Sequence, residues 1–361
     1  MSSMEEIVVT RREVSRREEV SFDDLGFGDF FSDHMLICEW EDRRWGTPKI
    51  IPRQPLAVDP AALGLHYGQS VFEGLKAYHG TRDGKIRLFR PERNAARLAS
   101  SCERLCIPVI EASAFRQCVT GLVAAEVEWV PRARGEALYI RPMIFANEGH
   151  LAVRPATRYT FVIVAAPVGQ YFARYNRALR LKAESTFTRA VPGGTGAVKT
   201  AGNYGATLRP MLDAGGAGFD QILWLDAHDH AFAEEAGQMN IFFRLRDEVV
   251  TPDLSGTILP GVTRESVLTM LEDWGIATSV RRISIAELAK ASQDGTLLEI
   301  FGAGTAAVVV PIQSITFRDT VIQGRPGGSA LLSERLCENL LAIQHGEAAD
   351  PRGWTQLVET G

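Results

Sequence analysis

The spacing of apolar residues along the chain predicts alternating helices and strands. Residues 85–90 alternate between polar and apolar positions, as a half-buried strand does. Between Glu92 and Cys106, apolar residues recur at intervals of three and four, which is the spacing of one helix face. The same criteria predict a helix over Ala112–Val127 and strands over Glu136–Phe145 and Tyr159–Pro167.

The second half of the chain continues the alternation. Ser284 and Glu287 have the spacing of a capping box, which predicts that a helix begins at Ser284. Further elements are predicted as strands at 179–186, 219–226, 238–246, 297–301 and 306–310 and as a helix near 203–214. The segment Gly256–Thr263 is predicted to lead into another helix that ends at about Trp274. Mixed helices and strands of this kind indicate an α+β protein.

The predicted domain organisation follows from one segment without periodicity. Gln170–Leu179 lies between two strand-like runs and is the best linker candidate. The 361 residues suit two domains of roughly 150–200 residues each. We therefore expect an N-terminal extension at 1–34, a small α/β domain at 35–169, an interdomain linker at 170–179 and a large domain at 180–361, with the active site between the domains.

Composition excludes several classes of protein. Hydrophobic residues make up 45% and charged residues 23%, as in ordinary globular proteins. A net charge of −5 argues against a nucleic-acid-binding surface, and no apolar run approaches the roughly 18 residues of a membrane span. The first 34 residues lack the apolar stretch of a signal peptide. Five cysteines without a C-x-x-C pair predict reduced thiols, no metal site and a cytoplasmic location.

Lysine is scarce, since only six of the 39 basic residues are lysines. One of the six, Lys199, ends a glycine-rich segment that at first resembles a phosphate-binding loop. That loop requires glycine directly before the lysine, because the backbone N–H groups must curl around the phosphates. Val198 occupies that position here, so a nucleotide-hydrolysing enzyme is not predicted.

The chemistry of Lys199 depends on its surroundings. Its flanks carry no other charged residue from Ala190 to Leu208. Burial in such a segment would lower the pKa of the amine and make it a nucleophile that can form a Schiff base with a carbonyl group. The alternative is an ordinary lysine on the surface, where most lysines lie.

Five segments, in order, resemble the branched-chain amino acid aminotransferases, which are fold-type IV enzymes that use pyridoxal 5'-phosphate (PLP). The resemblance covers about residues 35 to 345. It is carried by Lys199-Thr-Ala-Gly-Asn-Tyr204-Gly and by His66–Tyr78, Glu235–Phe242, Leu259–Glu265 and Phe301–Ala306. It implies a two-domain α+β fold of the D-amino acid aminotransferase type, a PLP cofactor and a homodimer with shared active sites.

The resemblance also implies which residues bind the coenzyme. Lys199 would bind PLP covalently and move the proton at the substrate Cα. Glu235 would pair with the pyridine nitrogen, although Glu234 is an immediate neighbour that could be confused with it. Tyr204 would bond the phenolate oxygen, and the phosphate would be held by Arg90, Val262, Thr263 and Thr305.

Substrate recognition is implied in the same way. Arg141, two residues after Tyr139 on one strand face, would accept the distal carboxylate of glutamate. The amide of Ala306, with that of Thr305, would bind the α-carboxylate. The side-chain pocket would be formed by Tyr67, Phe72, Gly74, Tyr139 and Gln238, with Tyr171 and Phe172 of the linker as further candidates. Tyr67 and Tyr139 would come partly from the neighbouring subunit.

The predicted reaction transfers the amino group of leucine, isoleucine or valine to 2-oxoglutarate in ping-pong half-reactions. Gln238 stands where relatives have threonine or glycine, so a related class IV aminotransferase that acts on a non-standard amino or keto acid in secondary metabolism is the alternative. Aminodeoxychorismate lyase is another relative, but Arg141 together with Tyr139 favours the branched-chain type. A non-catalytic protein on this scaffold would lack Lys199, Glu235 or Arg90, and all three are present.

Overall fold

The computed structural model describes residues 6–169, 178–324 and 331–359. Two compact units can be distinguished in the described chain. Unit 1 consists of residues 6–169, 198–201 and 341–359, and unit 2 consists of residues 178–197, 202–324 and 331–340.

These units differ from the predicted domains in three places. Residues 341–359 were expected in the second domain but belong to unit 1, and so do the described residues of the predicted extension 1–34. Residues 198–201, which include Lys199, also belong to unit 1. Most of the predicted linker lies outside the described residues, and its last residue, Leu179, already begins a strand.

Helices and strands are interspersed along the described chain, with several strands following one another between helices. In chain order the strands are β1 (Val8–Val9), β2 (His34–Glu41), β3 (Arg44–Trp45), β4 (Lys49–Pro52), β5 (Ser70–Phe72), β6 (Leu75–His79), β7 (Ile86–Phe89), β8 (Ala137–Ala146), β9 (Tyr159–Val168), β10 (Leu179–Ala183), β11 (Gln221–Leu225), β12 (Ala233–Ala236), β13 (Met239–Leu245), β14 (Val249–Thr251), β15 (Thr278–Val280), β16 (Leu297–Gly304), β17 (Val308–Phe317), β18 (Thr320–Gln323) and β19 (Thr355–Leu357). The α-helices are α1 (Leu63–His66), α2 (Pro91–Arg104), α3 (Ala112–Ala125), α4 (Ala201–Gly205), α5 (Leu208–Gly216), α6 (Val262–Asp273), α7 (Ile285–Gln293) and α8 (Leu332–Gln344).

Unit 1 is built on one sheet in the order β1-β4-β2-β9-β8-β6-β7-β19, with β3 beside β2 and β5 beside β8. The central pair β8 and β9 is antiparallel over its full length, from Ala137 opposite Val168 to Ala146 opposite Tyr159. Helices α2 and α3 contribute buried apolar side chains to the core of this unit. The C-terminal residues belong to unit 1 because β19 pairs with β7.

Unit 2 is built on a second sheet in the order β12-β11-β10-β17-β16-β13-β14-β15, with β18 beside β17. Strands β12 and β13 also pair with each other and form a hairpin, in which Glu235 lies opposite Asn240. The core of the unit is mainly aliphatic and includes Leu181, Leu223 and Ile300, with Phe243 as a buried aromatic residue.

The helix predicted near 203–214 is divided into α4 and α5. Pro210 has no N–H group to donate to the carbonyl of Ala206, so a continuous helix would lose a bond there. The hydroxyl of Thr207 instead donates to the carbonyl of Tyr204 at 2.7 Å and forms a turn. The predicted cap of α7 is present, since the N–H of Glu287 donates to Ser284 Oγ at 3.0 Å. In the described chain, no helix is long and apolar enough to span a membrane.

Candidate active site

Three hydrogen bonds hold the Lys199 segment in unit 1. The N–H of Lys199 donates to Ser101 Oγ of α2 at 3.0 Å. Its carbonyl accepts from the N–H of Phe72 at 3.0 Å, and the hydroxyl of Thr200 donates to the carbonyl of Ser70 at 2.8 Å. The backbone of the lysine is therefore fixed between strand β5 and helix α2.

The Lys199 amine lies over an aromatic ring, with Nζ 4.8 Å from the centroid of Phe72. Burial lowers the pKa of this amine to about 8, and the positive charge of Arg97 acts in the same direction, whereas Glu73 opposes it. A substantial fraction of the amine is therefore neutral near pH 8. Such a group can act as a nucleophile or as a base.

A buried ion pair beside this lysine involves Glu73, whose side chain is fully buried. Arg97 donates to both carboxylate oxygens, at 2.7 and 2.9 Å, and Asn94 donates to one of them at 2.8 Å. The N–H of Gly74 adds a bond of 3.1 Å. Burial is the largest single effect and acts to raise the pKa of Glu73, but Arg97, Lys199 and Asn94 together oppose it and the pKa is lowered.

Four residues predicted for substrate binding lie together in unit 1. The Arg141 guanidinium donates to the Tyr139 hydroxyl at 3.0 Å and lies 4.8 Å from the Phe72 ring centroid. A Cβ atom at Gly74 would lie 2.0 Å from the Tyr139 hydroxyl oxygen, so glycine is required for this approach. Tyr139 also affects the pKa of Lys199 in the same chain. Tyr139 therefore belongs to the surroundings of its own chain's lysine, and a contribution to a neighbouring subunit's site stays a prediction.

Two other predicted residues of unit 1 have different surroundings. Arg90 is buried at the start of α2 with a φ of 50°, a left-handed conformation that is uncommon for arginine. Its N–H donates to the carbonyl of Trp354 at 2.7 Å, which fixes the backbone. Tyr67 is 42% exposed, and its hydroxyl donates to the carbonyl of Leu151.

In unit 2, the carboxylate of Glu235 is buried on β12 and both of its oxygens have partners. Arg189 binds Oε2 at 2.8 Å, and the N–H of Leu259 donates to Oε1 at 3.0 Å. Asn240 lies 3.4 Å from the same Oε1 and donates to the carbonyl of Leu259 at 3.0 Å. A Cβ atom at Gly261 would lie 2.0 Å from Asn240 Oδ1. The loop before α6 is thereby fixed to Glu235.

Glu234 is buried as well but has a different environment. Its Oε1 accepts a bond of 2.5 Å from the Thr257 hydroxyl, and its Oε2 has no partner among the described residues. Burial raises the pKa of Glu234 to about 7, although Thr257 and Arg189 act in the opposite direction. The two adjacent glutamates therefore differ in their partners, since Glu235 binds an arginine and Glu234 accepts from a neutral hydroxyl.

The remaining predicted residues also lie in unit 2. Val262 and Thr263 form the buried first turn of α6, whose N-cap is Gly261 and provides no side-chain cap. Thr305 and Ala306 lie in the turn between β16 and β17. Gln238 is exposed at the tip of the β12–β13 hairpin, and Tyr204 is half-buried in α4.

The sequence did not predict the ion pair of Glu73 with Arg97, and it did not predict Arg189 as the partner of Glu235. A signal was present in α2, because Asn94, Arg97 and Ser101 recur at helical spacing as a polar stripe beside the apolar one. The proposed linker aromatics Tyr171 and Phe172 lie outside the described residues. Among the described side chains, no group of three or more histidine, cysteine, aspartate and glutamate residues could hold a metal ion.

Comparisons with known proteins agree with this description. The family model for amino-transferase class IV matches residues 70–315. Branched-chain-amino-acid aminotransferase 2 of Bacillus subtilis (strain 168) is 45% identical over 335 residues, which is 92% of each chain. Branched-chain-amino-acid transaminase 1 of the same strain is 43% identical and covers 98% of this chain and 100% of its own.

The fold also has counterparts among solved structures. The branched-chain amino acid aminotransferase of Thermobaculum terrenum, solved in its PLP-bound holo-form, superposes with a TM-score of 0.73. It is 22% identical in sequence, and the match covers 91% of this chain and 98% of that chain. The predicted α+β fold of type IV is therefore confirmed.

Proposed function

The chain belongs to the class IV aminotransferases, among the branched-chain-amino-acid aminotransferases, and from this we propose that it moves the amino group of leucine, isoleucine or valine to 2-oxoglutarate. The observation that carries the proposal is the position of Lys199. Its amine has a lowered pKa and lies in the same unit as Tyr139 and Arg141. Family membership confirms the resemblance found in the sequence.

The residues of both units fit PLP as the coenzyme. When bound, PLP provides a sink for the electrons left behind when the Cα–H bond of the amino acid breaks. Lys199 would hold the coenzyme covalently and would move the proton at Cα, for which an amine with a pKa of about 8 is suited. Glu235 would bind the pyridine nitrogen, and its bonds to Arg189 and Leu259 fix the orientation of its carboxylate.

The phosphate of the coenzyme needs N–H donors and positive charge. The uncapped N–H groups of Val262 and Thr263 at the start of α6 are suited to an anion, since the helix dipole is positive at that end. The bond between Leu259 and Glu235 ties the loop before this helix to the nitrogen-binding residue. Arg90 and Thr305 would complete the phosphate site, and Tyr204 would bond the phenolate oxygen.

Substrate recognition would depend on residues around Lys199. The Nε of Arg141 is buried and has no hydrogen-bond partner among the described residues, which suits a bound carboxylate. Arg141 would therefore accept the distal carboxylate of glutamate or 2-oxoglutarate. Phe72, Gly74 and Tyr139 would form the wall beside the apolar side chain of leucine, isoleucine or valine.

Two further substrate contacts are proposed for residues of unit 2. The amides of Thr305 and Ala306 would bind the α-carboxylate, and the exposed Gln238 would lie at the edge of the pocket. The cytoplasmic location predicted from the cysteines remains a prediction.

We further propose a homodimer. Large apolar side chains are exposed on unit 1 close to Tyr67, where Leu65, Leu151 and Val153 are 66%, 73% and 79% exposed. Exposed apolar residues in such a group are typical of a surface that another protein covers. A second copy of the chain would cover them and could bring Tyr67 to the partner's site.

The substrate proposal is tested by separating the two half-reactions. Wild-type protein is expected to convert leucine, isoleucine and valine with 2-oxoglutarate as acceptor. In Arg141→Gln, loss of a charged hydrogen bond of about 1.5–3 kcal/mol should raise the KM for 2-oxoglutarate about 10- to 150-fold. The leucine half-reaction should change much less, because leucine has no distal carboxylate.

Arg209→Gln is the matched control, since Arg209 is an exposed arginine of α5. Equal losses in both half-reactions of Arg141→Gln would contradict the role assigned to Arg141. Absence of turnover with all three branched-chain amino acids in wild-type protein would contradict the proposed function.

A further inference from the structure

We propose that Glu73 and Arg97 are positioning residues that set the protonation of Lys199 from opposite directions. In this role Arg97 favours the neutral amine and Glu73 favours the ammonium form. The inference rests on the proposed function of Lys199 as the coenzyme-binding lysine, and it adds two residues to that site whose roles the sequence did not indicate.

The geometry connects both members of the pair with the lysine. Ser101 Oγ accepts from the N–H of Lys199 at 3.0 Å and donates to the carbonyl of Arg97 at 2.8 Å. On the other side, the N–H of Phe72, the residue before Glu73, donates to the carbonyl of Lys199 at 3.0 Å. The backbone of Arg97 and the residue before Glu73 are therefore both connected to the lysine backbone.

The charges of the pair are well defined. Both oxygens of Glu73 accept from Arg97, and Asn94 and the N–H of Gly74 donate to Oε2 as well. A carboxylate with this many donors remains ionised despite complete burial. The guanidinium of Arg97 carries a positive charge, because arginine side chains stay ionised in proteins at neutral pH. Lys199 thus lies beside a fixed positive and a fixed negative charge.

The two charges act on Lys199 with opposite signs. Arg97 lowers the pKa of the amine and Glu73 raises it, while burial provides the largest lowering. Arg141 also lowers the pKa and Tyr139 raises it, and with all of these effects the pKa is about 8. Loss of either charge alone should therefore shift the pKa of Lys199.

The two variants should shift the pKa of Lys199 in opposite directions. A general loss of folding would not produce opposite shifts. In Glu73→Gln, Arg97 is left unopposed, and we expect Lys199 to titrate about one pH unit or more below wild type. In Arg97→Gln, Glu73 is left unopposed, and we expect titration about one pH unit or more above wild type. Arg97→Lys keeps the positive charge, so Lys199 in this variant should titrate close to its wild-type pH.

The measurement is competitive acetylation of the full-length, coenzyme-free chain over a range of pH, with each lysine followed by peptide mass spectrometry. Lys49 and Lys85 are exposed and act as internal references. Because breaking a buried ion pair destabilises the fold, a single variant could fail to fold. The double variant Glu73→Gln/Arg97→Gln removes both charges, and its Lys199 should then titrate near the wild-type pH.

Shifts of Lys199 in the same direction in both single variants would overturn the proposal. So would unchanged titration in both, or a double variant that titrates more than about one pH unit from wild type. These readouts do not require turnover or bound coenzyme. Failure of the proposed aminotransferase function would instead appear as absent turnover with normal titration of Lys199, so the two failures are distinguishable.

Discussion

Glu73 in unit 1 and Glu234 in unit 2 are both buried carboxyl groups beside a proposed active-site residue, but they favour opposite charge states. Arg97 donates to both oxygens of Glu73, and the pKa of Glu73 is lowered. Glu234 accepts from the hydroxyl of Thr257, and its pKa is raised to about 7. Burial acts in the same direction on both groups.

The difference shows that the donors around a buried carboxyl decide its charge. A guanidinium bound to both oxygens, together with Lys199 and Asn94, compensates for the loss of water at Glu73, whereas a neutral hydroxyl does not at Glu234. Arg189 binds Glu235 directly and reaches Glu234 only at longer range. Glu73 is therefore a permanent charge, while Glu234 changes charge near neutral pH.

The largest expected effect comes from removing the partner of the permanent charge. Arg97→Ala leaves a buried carboxylate without its counter-ion and should reduce the free energy of unfolding by about 3–5 kcal/mol. Arg209→Ala breaks an exposed pair with Asp213 and should cost less than about 0.5 kcal/mol. Urea unfolding at pH 7 measures both. Similar values for the two variants would remove the contrast between buried and exposed pairs.

A smaller effect is expected from the group that changes charge. The pKa of Glu234 is higher in the folded chain than in the unfolded chain, so the stability linked to its proton is complete below the unfolded pKa of about 4.5. It is lost as the pH rises through about 7. The loss should be about 2 kcal/mol, after allowance for solvent screening.

Glu234→Gln cannot ionise and should lack this component of the pH dependence. Urea unfolding of wild type and variant between pH 4.5 and 8.5 provides the comparison, and the difference in slope isolates Glu234. Parallel stability curves over this range would show that Glu234 does not titrate there, and the contrast with Glu73 would fail.

The smallest effect concerns the glycine that donates to Glu73. Gly74→Ala places a Cβ atom 2.0 Å from the Tyr139 hydroxyl oxygen, so this hydroxyl must shift and its bond with Arg141 is disturbed. We expect a rise of about tenfold in the KM for 2-oxoglutarate, the equivalent of about 1.4 kcal/mol. Gly215→Ala is the control, because a Cβ atom there meets open space. Equal KM values in the two variants would contradict the proposed arrangement of Tyr139 and Arg141.

Much of the fold was predictable because its elements follow regular patterns. The strand predicted over Tyr159–Pro167 is β9, Tyr159–Val168, and the helix predicted from Glu92 is α2, Pro91–Arg104. Helix α8 was not predicted, and the pairing of β19 with β7 was not either. Contacts between distant parts of a chain leave no periodic signal in the sequence, so the assignment of the C-terminal residues to unit 1 required the structure.

The candidate site was predictable only where a motif marked it. Lys199 and Glu235 lie in such motifs, and both are in buried or half-buried polar environments. Arg97 and Arg189 do not, and composition could not single them out because arginine is abundant in this chain. Their importance follows from the carboxylates they bind, Glu73 and Glu235, which only the folded chain brings to them.

The central claim is that Lys199 binds PLP covalently and acts at the substrate Cα. The most direct measurement is borohydride reduction of the protein with bound PLP, followed by proteolysis and peptide mass spectrometry. The coenzyme should remain attached to the peptide that contains Lys199, and Lys199→Ala should yield no labelled peptide. Attachment at any of the other five lysines, or none despite bound PLP, would contradict the account.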